Sequence, residues 1–268
     1  MKSPAGPADM KVIQPRRVEP VKMLWTGGLL LAAIAFALWR RGPLEPDAAQ
    51  TLRLTGQTMG TTYSVVIPDP PTDPAMRQDL EQTLADTLKR VNTRMSIYNP
   101  ESEISRFNRH PAHSPFLASD ELRTVVAFAL RLAQTSGGAY DPTLGPLLRL
   151  WGFGPGAVQP APFPDPEAIE SAKRLTGSEA IRIVDKSLIK ERPEIELDLN
   201  SVAKGFGVDA VARALREKGQ NRYLVEVGGE IALAGLNPDG LPWRIGVDRP
   251  EPERAPGDRL SRVLRGTD

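Results

Sequence analysis

Residues 195–219 read IELDLNSVAKGFGVDAVARALREKG, and this stretch decides how the chain is organised. Ile195 to Leu199 predicts a short strand. Val202 to Lys218 predicts a helix, terminated by Gly219. The strand runs into the helix through the polar pair Asn200-Ser201, which leaves the first helical amides free and turns the positive end of the helix dipole outward. Such a helix start suits a phosphate. Lys204 adds a cation, Ser201 a hydroxyl and Asp198 an acceptor, the combination wanted for a pyrophosphate joined to a sugar or to Mg²⁺. Simple N-capping by Asn200 or Ser201 reads the same residues equally well.

On the C-terminal side, Tyr223 to Val227, Ile231 to Ala234 and Trp243 to Val247 predict strands, with Asn237-Pro238-Asp239-Gly240 as a tight turn. On the N-terminal side, Ala180 to Val184 and Leu188 to Lys190 predict two more, joined by Asp185-Lys186-Ser187. Gly152 to Pro166 is too rich in Gly and Pro for a helix or a central strand and reads as a loop or lid. Before it, Ser119 caps a helix that carries Leu122, Val125, Val126, Ala129, Leu130 and Ala133 inward and stops at Gly137-Gly138. Asp73-Pro74 opens another, with Leu80, Leu84, Leu88, Val91 and Met95 as one apolar stripe. Leu52 to Leu54 and Thr61 to Ile67 predict paired strands around a Gly60 turn. Strands and helices alternate without a βαβ rhythm or an internal repeat, so the fold class is α+β, with mixed sheets and packed helices.

Composition narrows the function. Lys and Arg number 34 against 33 Asp and Glu, so no net field points to nucleic acid, and no nucleic-acid partner is expected. Cysteine is absent, which removes disulfides, thiolate metal sites and thiol nucleophiles together. His110 and His113 lie in a Pro-containing loop without a zinc-type spacing and read as solvent-exposed. There is no G-x-S-x-G elbow, and Gly228-Gly229 is not a dinucleotide fingerprint.

About the first fifty residues look non-globular, leaving roughly 220 to fold. Residues 1–22 read as a disordered, weakly basic cytoplasmic arm. Met23 to Trp39 is an uncharged run that as a helix spans roughly 25 Å, just enough to cross a bilayer. Residues 40–50 read as a linker. The surrounding Lys and Arg favour a cytoplasmic N-terminus, and hence a single-pass protein of the inner membrane with its folded part in the periplasm. A cleaved signal peptide, with Ala35-Phe36-Ala37 at the cleavage site, and a buried core helix are the alternatives.

Three further segments combine Gly or Pro punctuation with a polar or aromatic group. Thr58-Met59-Gly60-Thr61 sets a flexible apolar side chain beside a glycine, where backbone can approach a flat ligand; it also reads as a plain hairpin turn. Tyr98, before Asn99-Pro100, is placed to stack on a ring or to enter the core. In Ala139-Tyr140-Asp141-Pro142-Thr143 the proline holds Asp141 extended, as an aimed carboxylate or as an Asx turn.

In order along the chain, TMGTTYSV, MSIYNPESEISRFN, AYDPTLGPLLRLWGFG, DLNSVAKGFGVDAVA and YLVEVGGEIALAGLNPDGLPWRIGV resemble the successive signatures of the FAD:protein FMN transferases, the ApbE-like flavin transferases, from about Thr51 to about Pro250. The resemblance implies a T-fold-like flavin transferase domain over residues 51–268, with FAD as substrate and a target flavoprotein with an acceptor threonine as partner. It implies that Met59, Tyr98, Ala139, Tyr140, Asp141, Asp198 and Lys204 line the FAD site and that Ser201 gives one Mg²⁺ ligand. The threonine hydroxyl would attack the FMN-side phosphorus of FAD and AMP would depart; no catalytic base is assigned. Family members usually continue into a segment that brings an Asp and a hydroxyl or second acid to the Mg²⁺, so the chain is expected to be C-terminally incomplete as a metal site, with Ser201 alone binding the ion weakly. The lipobox cysteine common in the family is also absent, and the Met23 to Trp39 helix would replace it as anchor. An FAD pyrophosphatase and a non-catalytic, membrane-anchored FAD-binding protein are the competing expectations.

Overall fold

The computed structural model describes residues 51–157, 163–251, 253–254, 258 and 260–267. The expected arm, membrane segment and linker lie outside the described residues. No helix among the described residues is long and apolar enough to cross a membrane.

The chain opens with a hairpin, β1 (Leu52–Thr58) and β2 (Thr61–Ile67), in register from Leu52 against Ile67 to Thr58 against Thr61. The two residues between, Met59 and Gly60, both have positive φ, 49° and 73°. That is the left-handed pair a tight hairpin wants, with methionine where Asn or Gly is usual. Next comes α1 (Pro74–Met95), whose first turn is capped by the Asp73 carboxylate, accepting from the Ala75 amide at 2.8 Å. Its stripe of Leu80, Leu84, Leu88, Val91 and Met95 is fully buried, as its spacing predicts. A short helix, α2 (Glu103–Asn108), and strand β3 (Phe116–Leu117) follow. α3 (Asp120–Thr135) starts on the Ser119 hydroxyl, which accepts from the Leu122 amide at 3.2 Å, and stops where Gly137 and Gly138 turn to positive φ. Then come α4 (Gly145–Leu150), α5 (Pro166–Lys173), a 3₁₀ turn (Ser178–Ala180), β4 (Ile181–Val184) and β5 (Ser187–Lys190). The chain continues through α6 (Asn200–Glu217), β6 (Tyr223–Val227), β7 (Glu230–Ala234), β8 (Trp243–Asp248) and β9 (Leu260–Gly266).

The strands form three sheets, ordered β1-β2-β6-β7, β3-β5-β4 and β8-β9. The α+β class holds, but every described pairing is antiparallel, so the sheets are not of mixed direction. One core lies where α1 and α6 cover the four-stranded sheet, with Leu84, Leu88, Val211, Leu215, Tyr223 and Val225 at its centre. The other joins the end of α1 to α2, α3 and the small sheet through Met95, Phe107, Leu122, Val126, Leu188 and Leu197. Met59 packs against both. Leu84→Ala, which empties the first core at a residue 1% exposed, is expected to lower unfolding free energy by about 2–5 kcal/mol in urea titrations.

Four expectations need correction. Ile195–Leu199 joins no sheet, because its edges meet a side chain and a loop carbonyl rather than another strand: the Asn108 amide bonds Leu197 on one side and Pro142 accepts from the Asp198 amide at 2.7 Å on the other. The following helix begins at Asn200, two residues earlier than its apolar pattern suggests, and neither Asn200 nor Ser201 caps it. The Gly152 to Pro166 loop ends one residue sooner, since Asp165 caps α5 and Pro166 occupies its first position, where a missing N–H is harmless. His110 is half-buried rather than exposed; its ring stands edge-on to Phe116 at 5.3 Å and its Nε2 is enclosed without a partner, whereas His113 is exposed.

Candidate functional site

The first turn of α6 is the centre of the site. Asp198 sits two residues before it, and its Oδ1 accepts the Asn200 amide at 2.9 Å, so the acid closes the helix start that the sequence assigns to a cap at Asn200 or Ser201. Burial pushes the Asp198 carboxyl up, opposed by that amide and by the Arg149 guanidinium. Arg149 is itself shared with Glu196 at 2.7 Å.

Ser201 stands on the exposed side of the same turn and donates its hydroxyl to Tyr140 Oη at 3.2 Å. Burial raises the Tyr140 phenol; the Ser201 bond lowers it, while the Asp198 and Asp141 carboxylates add to the rise. Asp141 makes an Asx turn, taking both the Thr143 amide (2.8 Å) and its hydroxyl (2.6 Å). Thr143 is fully buried and accepts the Gly177 amide at 2.7 Å, which anchors the turn. Ala139 is exposed, with its amide on the Ser136 carbonyl. Tyr140, Asp141, Asp198 and Ser201 therefore form one cluster, and Ala139 lies at its edge.

On the other side of the turn a cleft of about 710 Å³ is lined by Met59, Gly60, Asn92, Met95, Ser96, Tyr98, Asn99, Asn200, Ala203 and Lys204. It brings the hairpin tip, the C-terminal end of α1 and the start of α6 together, so Met59, Tyr98 and Lys204, far apart in sequence, face one space. Tyr98 is 63% exposed, so it is not a core tyrosine. Met59 is held by α6: a Cβ on Gly207 would come within 2.7 Å of its Cε. Lys204 donates to the Gly228 carbonyl at 3.1 Å and lies 3.9 Å from Glu230, a loose tether that leaves donors for an anion. Asn92, Ser96 and Asn99 are lining residues that the sequence does not single out, and Asn200, a candidate cap in sequence, lines the cleft as well. The signal was available, since Asn92 and Ser96 are four apart at the end of α1 and Asn99 follows Tyr98.

The arrangement fits a flat ring against Met59 and Tyr98, with a diphosphate over the helix start beside Lys204. Mg²⁺ fits less well. Ser201 is the candidate ligand, and no group of three or more His, Asp or Glu side chains converges among the described residues. A neutral hydroxyl does not satisfy an ion that wants octahedral oxygens and carboxylate charge, so these residues do not by themselves compose a Mg²⁺ site.

Comparison with known proteins places this geometry in a family. An ApbE family model matches residues 59–267. A protein named FAD:protein FMN transferase from Vibrio cholerae is 43% identical over 220 residues, covering 82% of this chain and 65% of that protein. One of the same name from Haemophilus influenzae is 38% identical over 228 residues, covering 83% and 64%. The chain thus spans about two thirds of the length of these relatives. Among solved structures, the flavin transferase ApbE from Vibrio cholerae superposes with a TM-score of 0.71 at 41% identity, covering 81% of this chain and 67% of that one. The apo form of Pseudomonas stutzeri flavinyl transferase ApbE gives 0.70 at 35%, covering 82% and 68%. With the hairpin's second strand, the helix start and the cleft residues all inside the matched region, the chain belongs to the ApbE family.

Proposed function

We propose that this chain binds FAD across the first turn of α6 and transfers its FMN half to a threonine hydroxyl of a target flavoprotein, releasing AMP. The observation that carries the reading is the cleft in which Met59, Tyr98 and Lys204 meet at that turn. Its support from relatives is that proteins 43% and 38% identical are named for this activity.

The residues divide the task. Met59 and Tyr98 grip the isoalloxazine, a soft thioether and an exposed ring suited to a flat π-system. Lys204 and the positive end of the α6 dipole take the diphosphate, whose charge rises as the bond to AMP breaks. Asp198, Tyr140 and Asp141 border the rest of the dinucleotide. In the reaction the threonine oxygen forms a bond to the FMN-side phosphorus, and the bridging P–O bond breaks with its electron pair leaving on AMP. The hydroxyl proton passes to solvent, and FMN stays joined to the protein through a phosphoester. Mg²⁺, the charge-neutralising ion that such transfers use, belongs to the proposal with Ser201 as one ligand and would need further oxygen ligands beyond the described residues. We place the domain at the periplasmic face of the inner membrane, tethered by Met23 to Trp39, on the strength of that uncharged run and its flanking Lys and Arg.

The test mixes purified chain, FAD, Mg²⁺ and an acceptor flavoprotein and reads intact mass. The expected result is the gain of one FMN on a threonine with equimolar AMP. Free FMN and AMP without labelling would identify a pyrophosphatase instead, and retained FAD with no turnover a binding protein.

A further inference from the structure

Asp198 borders the proposed FAD site, and its own side chain holds only the turn that follows it, through the Asn200 amide, not the backbone that leads to it. That backbone is held by two polar side chains, Asn108 from α2 and Lys190 from the end of β5. Asn108, the last residue of α2, donates from Nδ2 to the Leu197 carbonyl at 2.9 Å and accepts the Leu197 amide on Oδ1 at 2.8 Å. This two-bond ring is what a neighbouring strand would supply. Lys190, 2% exposed, gives its ammonium to three carbonyls: Asn108 at 2.6 Å, Pro193 at 2.8 Å and Ile195 at 3.1 Å. Lys190 thus ties the turn at Pro193 to the Ile195 carbonyl and to Asn108, which in turn holds both polar groups of Leu197. On the other edge the Asp198 amide donates to Pro142, next to Asp141.

We infer that Asn108 and Lys190 are positioning residues for the proposed FAD site, a side-chain clamp that takes the place of a strand and sets where Asp198 meets the start of α6. A buried ammonium satisfied by carbonyls alone is an expensive way to fill space, and an apolar side chain would pack there at less cost. Burial pushes the Lys190 ammonium down, against the pull of Glu196 and Glu194, so the three carbonyls must offset a real cost of burying it. The clamp also borders open space rather than a sealed core: Asn108, Leu197 and Asp198 share the wall of a cavity of about 210 Å³.

The assignment rests on the FAD reading, and its test separates the two. Amide hydrogen exchange on the full chain, without ligand, is compared for parent, Asn108→Ala and Lys190→Met. The clamp requires exchange across residues 195–200 to speed up by roughly tenfold or more in Asn108→Ala, with α1 and β6 unchanged. Unchanged exchange there overturns the clamp whatever FAD does. Flavin fluorescence titration then reads ligand affinity, with melting temperature measured on the same samples. Asn108→Ala should weaken FAD binding by roughly tenfold while the melting temperature moves only a few degrees. The double variant should bind no worse than the weaker single, because both act through one segment. A lowered melting temperature with FAD affinity intact would make the pair mere structural support. Absence of FAD binding by the parent would instead sink the functional reading, with the exchange result still deciding the clamp. Should Lys190→Met fail to fold, Asn108→Ala alone decides.

Discussion

Lys204→Ala is expected to reduce FMN transfer by on the order of 100-fold or more while leaving the fold as stable as before. Its ammonium is the cation at the helix start, beside the place where the diphosphate would gather charge, and a positioned donor there counts most in the transition state. Its structural value is small by contrast. One bond to the Gly228 carbonyl at 3.1 Å and a 3.9 Å approach to Glu230, at a side chain 34% exposed, amount to about 1 kcal/mol or less. Steady-state rates of AMP release and urea midpoints on the same preparation check both halves. Lys204→Arg should recover little, since the stem passes close to Gly228, where a Cβ would stand 3.2 Å from Lys204 Cδ, and a planar fork is a poor substitute for a compact charge. Full activity in Lys204→Ala would remove the diphosphate from this turn.

Asp198→Asn is expected to raise stability at neutral pH and to lower FAD affinity at least about tenfold. The sign follows from burial, which raises the Asp198 carboxyl above its ordinary value. Between the ordinary and the raised value the folded chain keeps a proton that the unfolded chain has released, so stability falls as pH climbs through that window and stays lower above it. Asparagine has no charge to bury and can still accept the Asn200 amide. The variant should therefore melt higher than the parent at pH 7, and the two should converge below the ordinary carboxylate range. Thermal melts from acid to neutral pH, paired with FAD titrations, read both effects. A variant that melts lower than the parent at pH 7 would contradict the burial cost, and unchanged affinity would remove Asp198 from the ligand's border.

How much of this was legible beforehand differs by element. The α1 stripe and the Ser119 cap were readable because a helix writes its buried face at a fixed spacing, and a cap is a contact between residues three apart. The Met59-Gly60 turn was readable as a hairpin for the same local reason. Ile195–Leu199 was not: its pattern is that of a strand, but whether a strand joins a sheet depends on what lies at its edges, and here those were Asn108 and Pro142. His110 was misplaced because a neighbour from β3, Phe116, closes over it. Pro166 reads as loop in the sequence because proline punctuates loops and opens helices with the same letter.

The sequence by itself determined the long helices α1, α3 and α6, the β1-β2, β4-β5 and β6-β7 hairpins and the family signatures, since each depends on residues close together along the chain. Tertiary structure alone decided that Met59, Tyr98 and Lys204 share a cleft, that Ser201 turns to Tyr140, and that Asn108 and Lys190 hold Asp198 in place. The pairings of Met59 with Lys204, Tyr140 with Ser201 and Asn108 with Lys190 and Leu197 join residues far apart in the chain and exist only because two cores lock the hairpin, α1, α2 and α6 against one another, and no local periodicity records the geometry of that packing.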